Sequence, residues 1–362
     1  MPDLAERLAA RTLELVDIPS ESHHEAAIAA HLATLVPPEA VVEATADEAT
    51  LWTLPRRGRP LVVLAGHYDT VPIQGNVPGR LADGAVHGRG ASDMKGGVAV
   101  AVELVRDLAP RADELAVDVG LLLFGREELP EQFNPLPALF DASRALAEAA
   151  LVVLLEPTDG AIHVGCLGNL NLRVTFRGRA GHSARPWLAD NAIERALEGL
   201  VGVAAVEPRE VVIEGLAFYE AATITEFHAG LASNVVPDTA VATINVRYAP
   251  DRSPESAVEW ALSLLPPTAE VEVTGNSPSG AVVAGTPLVR ALQAAGGLDV
   301  QPKQAWTNVA DFTARGIDAV NYGPGLTRYA HTVDEQVPVE SLVRCYETLR
   351  RFLETGARDA PG

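Results

Sequence analysis

The chain has 362 residues, enough for two domains or for one large domain carrying an insertion. Hydrophobic content of 48% with 21% charged residues is that of a soluble globular protein with a full core, which excludes extensive disorder. The 28 Lys+Arg stand against 48 Asp+Glu, and a net charge of -20 argues against nucleic acid or an anionic membrane surface as the main partner. Only Cys166 and Cys345 are present, far apart, so neither a disulfide framework nor a thiolate metal site is expected. Residues 1–7 lack a basic stretch leading into an apolar one, and no apolar run approaches bilayer length. A cytoplasmic enzyme is the expectation.

Apolar residues at helical spacing predict a helix over Leu4–Val16, stopped by Asp17-Ile18-Pro19-Ser20, and a second over Ala26–Leu35. Strand-like pieces follow at 41–42 and 50–54. The run Leu61-Val62-Val63-Leu64-Ala65 then ends abruptly in Gly66-His67-Tyr68-Asp69-Thr70-Val71-Pro72, as a buried strand does on reaching a polar rim. Alternation continues with a helix over 93–108, a strand over 116–124, a helix over 137–150 and a strand over 151–155. This is the α/β pattern of a mostly parallel, helix-covered sheet.

Near Gly168 the texture changes. Segments 171–177 and 242–248 alternate apolar and polar residues, as strands with one solvated face do, and amphipathic helices are expected over 191–206 and 254–265. The α/β texture resumes with helices over 287–295 and 309–315, a strand over 319–322 and a helix over 339–354. Residues 168–280 therefore read as an α+β domain inserted into a discontinuous catalytic domain of residues 1–167 and 281–362.

Several strand ends carry chemistry. In an extended chain His67 and Asp69 project to the same side, and a carboxylate beside an imidazole can hold one ring N–H and leave the other nitrogen for a metal. Alone, the pair is equally compatible with local backbone satisfaction. The glycine-rich stretch His87-Gly88-Arg89-Gly90-Ala91-Ser92-Asp93-Met94-Lys95-Gly96-Gly97 delivers Asp93 to a helix start, where Asp also serves as an N-cap. It meets neither the dinucleotide fingerprint nor the P-loop pattern. The strand over 116–124 leads to Glu127-Glu128, either a solvated rim or two carboxylates pointing apart with different tasks. The next strand ends in Glu156-Pro157-Thr158, and His331 follows late in the chain. Two histidines and three carboxylates beside strand ends or loops suit two borderline metal ions bridged by one carboxylate.

These motifs, with His331-Thr332-Val333-Asp334-Glu335, resemble in content and order the dinuclear zinc amidohydrolases, a family that includes acetylornithine deacetylase, succinyl-diaminopimelate desuccinylase, carboxypeptidase G and aminoacylase. The resemblance covers nearly the whole chain. It implies a zinc-exopeptidase-like catalytic domain, with the inserted domain as a lid that also forms a homodimer interface. It implies two Zn2+, with Co2+ as a substitute: His67, Asp93 and Glu156 on one ion, and Asp93, Glu128 and His331 on the other. Asp69 would orient His67, Glu127 would be the general base, and the Asp93–Met94 peptide would be cis. His182, within Ala180-Gly181-His182-Ser183-Ala184-Arg185-Pro186, resembles a residue that reaches the partner subunit's site to stabilise an oxyanion. From the sequence alone it is a loop histidine after a strand. Arg185, Asn234, Arg247, Thr307 and Gly323 match substrate-contact positions, although Arg247 also reads as an ordinary strand-face charge.

The implied reaction is zinc-dependent hydrolysis of a small N-acyl amino acid. The combination of Glu156-Pro157-Thr158, His182-Ser183-Ala184-Arg185, Pro250-Asp251-Arg252-Ser253-Pro254 and Trp306-Thr307 is most similar to succinyl-diaminopimelate desuccinylases of actinobacterial type. That branch has Asp where Asn308 stands and Arg where Asp311 stands, a departure that bears on substrate contacts. Acetylornithine deacetylation, a zinc dipeptidase or carboxypeptidase activity, and a non-catalytic binding role on the same fold are the alternatives.

Overall fold

The computed structural model of the chain describes residues 3–359, so Met1 and Pro2 of the N-terminal stretch lie outside the described residues. It divides into two compact units: one of Met1–Val164, Val283–Gln301 and Asp311–Gly362, the other of Gly165–Val282 and Pro302–Ala310. The segment Pro302–Ala310, which includes Thr307 and Asn308, groups with the second unit, whereas the sequence reading assigns it to the catalytic domain. No described helix is long and apolar enough to cross a membrane.

The first unit is built on an eight-stranded sheet in the order Val41–Ala46, Ala49–Thr53, Asp118–Phe124, Leu61–His67, Leu151–Pro157, Ala319–Gly323, Ile162–Val164, Val300–Pro302. The four central strands are parallel, and antiparallel pairs flank them on both sides. Every residue of these four strands is buried, as expected when both faces of a parallel sheet are covered. Each buried Val or Leu contributes roughly 1.5–3 kcal/mol relative to exposure, so the register of these strands is strongly held.

The helix Gly96–Leu108 packs on three of the central strands. Its approach needs small residues. A Cβ on Gly97 would lie 2.4 Å from the Leu155 carbonyl oxygen, and one on Gly66 3.0 Å from Val98 Cγ2. The helix expected from residue 93 starts at Gly96, because Asp93 and Met94 have non-helical backbone angles and their shared peptide is cis. Asp93 is therefore not its N-cap. The helix expected over 137–150 is two short helices, Leu136–Ala142 and Arg144–Ala147. Ser143 interrupts them in an extended conformation, and its side chain caps the second by accepting from the Leu146 N–H.

The second unit carries an antiparallel five-stranded sheet, Arg209–Ile213, Leu216–Ala229, Thr239–Tyr248, Gly168–Arg177, Glu270–Ser277. Its central strands alternate buried and less buried residues. The inward set, including Leu170, Leu172, Val174, Phe176, Ile244 and Val246, forms one core with residues of the helices Ala192–Gly199 and Pro254–Ser263. The chain is thus a mostly parallel α/β unit with an inserted α+β unit.

Candidate metal centre

The first unit brings together the residues that the sequence reading singles out at its strand ends. His67 closes the strand Leu61–His67, and its Nδ1 lies 3.1 Å from the Asp69 carbonyl oxygen. With Nδ1–H donating there, Nε2 is the free nitrogen. It lies 3.3 Å from Asp93 Oδ1 and 3.7 Å from Glu156 Oε1. On the other side, His331 Nε2 lies 3.1 Å from Glu128 Oε1 and 3.5 Å from Asp93 Oδ2. One Asp93 oxygen therefore faces each histidine.

Donor separations of this size are those of a small tetrahedral ion: bonds of about 2.0–2.2 Å place neighbouring donors about 3.4 Å apart. Donor atoms of His67, Asp93 and Glu156, and those of Asp93, Glu128 and His331, lie within 4.8 Å of one another in each set. A third set joins His67 with Glu127 and Glu128. Imidazole with carboxylate suits a borderline ion such as zinc.

Asp69 has a wider role than steadying one ring. Its Oδ1 is 3.4 Å from His67 Nδ1, a longer approach than that of its own carbonyl oxygen. The fully buried carboxylate accepts from Ser22 Oγ at 2.7 Å and from the backbone N–H groups of Glu127 at 3.0 Å and Glu128 at 3.2 Å. These contacts, together with His67, overcome burial and hold its pKa below the usual range. Glu127 and Glu128 sit in a turn, not on the extended segment expected, because both amides converge on one acceptor. Arg126 before them has φ of 62° and pairs with Asp47 and Glu48, while Gly125 N–H and Tyr68 OH both donate to the Glu48 carbonyl oxygen.

Burial, opposed by His67 and reinforced by Glu156, Glu128 and Asp93, raises the Glu127 carboxyl well above the usual range. At His67 burial opposes the charge, but Asp69, Asp93 and Glu127 win and raise its pKa. The His331 imidazole is pushed up to about 9, chiefly by the Glu128 contact, against partial burial.

Glu156 is held by close backbone packing. A Cβ on Gly323 would lie 2.2 Å from the Leu155 carbonyl oxygen, and one on Gly325 2.3 Å from that of Ser92. Thr158 Oγ1 donates to the Gly323 carbonyl oxygen at 3.1 Å. Gly323 thus has a packing reason for being glycine. Asp311 accepts from Asn134 Nδ2 at 3.0 Å, a local contact within the first unit.

The remaining expected residues lie in the second unit. His182 is exposed; its Nδ1 accepts from the Ala184 N–H at 3.1 Å, and its strand Gly181–His182 pairs with Val235–Val236. Ser183 N–H donates to the Asn234 carbonyl oxygen at 3.0 Å, so His182 and Asn234 share one corner, with exposed Arg185 beside them. Arg247 is half-buried and donates from Nε to Asn245 Oδ1 at 3.0 Å. Asn245 in turn donates to Asn169 and Asn171, a polar ladder that the sequence reading missed. Thr307 is buried, and its carbonyl oxygen accepts from the Ala310 N–H.

Comparison with known proteins agrees with this geometry. Residues 63–355 match the model of peptidase family M20/M25/M40. The chain is 37% identical over 354 residues to DapE of Mycobacterium tuberculosis, covering 94% of this chain and 96% of that protein. It is 37% identical over 350 residues to the succinyl-diaminopimelate desuccinylase of Corynebacterium glutamicum, covering 94% and 95%. Among solved structures, the aminopeptidase PepT of Bacillus cereus shares the fold with a TM-score of 0.77 at 21% identity, over 97% of this chain and 98% of that one. The chain belongs to peptidase family M20/M25/M40 and is a metal-dependent amidohydrolase.

Proposed function

We propose that the chain hydrolyses the amide of N-succinyl-L,L-2,6-diaminopimelate to succinate and L,L-diaminopimelate, using two zinc ions. The observation that carries the two-ion part is the Asp93 carboxylate, with Oδ1 facing His67 and Oδ2 facing His331. The substrate rests on likeness to the Corynebacterium glutamicum enzyme, which bears that name.

His67, Asp93 and Glu156 would hold one ion, and Asp93, Glu128 and His331 the other. When bound, the ions supply Lewis acidity and lower the pKa of a water molecule. Glu127 would take a proton from the attacking water as the water oxygen bonds to the acyl carbon. The same carboxyl then delivers the proton to the amine nitrogen as the C–N bond breaks. Glu127 is placed for both steps, in the turn beside Glu128 and within reach of the His67 side of the cluster. His182 stabilises the oxyanion, and Arg185, Asn234, Arg247, Thr307 and Gly323 contact substrate. In a protein of charge -20, Arg185 and Arg247 give a poly-anionic substrate local positive charge. The inserted domain acts as lid and homodimer interface in a cytoplasmic enzyme. Exposed apolar residues on that unit, Leu197, Val201 and Val212 among them, are consistent with such an interface.

The test is a comparison of kcat/KM for succinyl-diaminopimelate, acetylornithine and a set of dipeptides with the zinc-loaded protein. Preference for the first is expected. Preference for acetylornithine moves the substrate, and activity on dipeptides alone makes the protein an exopeptidase.

A further inference from the structure

The loop that carries His331 ends in Glu335, a buried carboxylate whose four hydrogen bonds are spent on another loop. Its Oε1 accepts from the backbone N–H groups of Ser92 at 3.1 Å and Asp93 at 3.0 Å. Its Oε2 accepts from the Gly90 N–H at 3.0 Å and from Arg89 Nη1 at 2.9 Å. The main chain adds to this. Gly88 N–H donates to the Glu335 carbonyl oxygen at 2.9 Å, and the strand Gln336–Pro338 pairs with Ala85–His87. Arg89 Nη1 also donates to the carbonyl oxygen of Thr332, the residue after His331, at 3.2 Å.

A buried carboxylate is costly unless it is fully hydrogen-bonded, so a cradle of three amides and a guanidinium fixes the spacing of the two loops. Asp93 itself has non-helical backbone angles, and its N–H is tied to this acceptor. Its side chain is thereby presented from a pinned backbone.

We propose that Glu335 is the positioning residue that locks the Asp93 loop to the His331 loop, so that Asp93 and His331 face the same ion. This deepens the two-metal reading and rests on it. Glu335 touches neither substrate nor reacting atoms; it acts through Asp93 and His331.

The replacements differ in a way that can be read. In Glu335→Gln one oxygen becomes an NH2 group, so two of the four donors lose their acceptor while the volume is kept. Glu335→Ala removes all four contacts. Zinc affinity is measured by competition with a chromophoric chelator, Co2+ absorption reports the ligand field, and circular dichroism of the metal-free chain reports the fold. The expected result is a graded loss of affinity for one of the two ions, about 10–100-fold for alanine and less for glutamine, with an altered Co2+ spectrum. Parental affinity and spectrum in both variants overturn the proposal, even if melting temperatures fall. Should alanine fail to fold, glutamine decides alone; failure of both makes Glu335 a folding residue and also overturns it. Asp93→Asn separates the two readings. If it still binds two ions as tightly as the parent, the bridging role of Asp93 fails. If it loses one while the Glu335 variants lose none, only the positioning role fails.

Discussion

The two units hold most of their candidate functional residues in opposite ways, His331 of the first being an exposed loop residue. In the first, His67 and Glu156 belong to fully buried parallel strands, Glu127 and Glu128 follow a third such strand directly, and the flanking backbone is tied by Asp69 and Glu335. In the second, His182 lies on an exposed two-residue strand, Arg185 and Asn234 on the exposed loops that follow and face it, and Arg247 on the less buried face of a half-covered sheet. Side chains held by packing form a site without help. Those on exposed segments gain definition from what binds them. Changes in the first unit should therefore alter chemistry and metal affinity, while changes in the second should divide between kcat and KM.

The largest effect is expected for Glu127→Gln. It removes the proposed proton carrier and leaves the shape, so kcat should fall by about 10³–10⁴-fold while two metal ions are retained; near-normal turnover would remove Glu127 from that role. His182→Ala should lower kcat by about 10²–10³-fold with metal content unchanged, as loss of one oxyanion donor does. A KM effect alone would make His182 a binding residue and remove it from the chemical step. Asp69→Asn keeps the volume but replaces an acceptor oxygen facing two amides and Ser22. A drop of about 10–100-fold in metal affinity or activity is expected, smaller than that for His67→Ala, and the reverse order would mean that Asp69 is itself a ligand.

The smallest effect concerns stability of the second unit. Buried Glu220 accepts from Arg209, Arg252 and the Ala249 N–H, which together outweigh burial and lower its pKa. A carboxyl whose folded pKa lies below its unfolded value adds stability that is complete above the unfolded value, near 4.3, and is lost as pH falls through the folded one. Glu220→Gln should cost about 2 kcal/mol at pH 7. The difference in melting temperature should shrink as pH is lowered below about 4, and a difference that grows on acidification would contradict the assignment.

Much of this was legible because the signals were physical and local. Uncharged runs ending in polar residues marked the central strands, and the alternation in 171–177 and 242–248 marked a sheet with one covered face. The helix Leu4–Val16 had its stop in Asp17-Ile18-Pro19. The hairpin Arg209–Ile213 with Leu216–Ala229 was missed, since the far half of its longer strand is exposed on both faces and carries no period. Strands of two or three residues, such as Arg80–Ala82 and Gly181–His182, are too short for any pattern. Within the candidate site, the residue types that the structure brings together, and their order, were readable. Their fastenings were not, because the pairing of Glu335 with residues 89–93, or of Asp69 with Ser22 and the Glu127 amide, joins segments remote in sequence. Glu335 stood within a recognised motif, and the need of a buried carboxylate for donors was the one signal that pointed to it.

The central claim is a pair of metal ions sharing Asp93. The most direct test is anomalous X-ray diffraction at the zinc edge on crystals of the zinc-loaded protein, with metal content measured on the same preparation. The account predicts two ions per chain, one against His67 and Glu156, one against Glu128 and His331, with an Asp93 oxygen on each. A fully active protein with a single ion, or with two ions that Asp93 does not bridge, would contradict it.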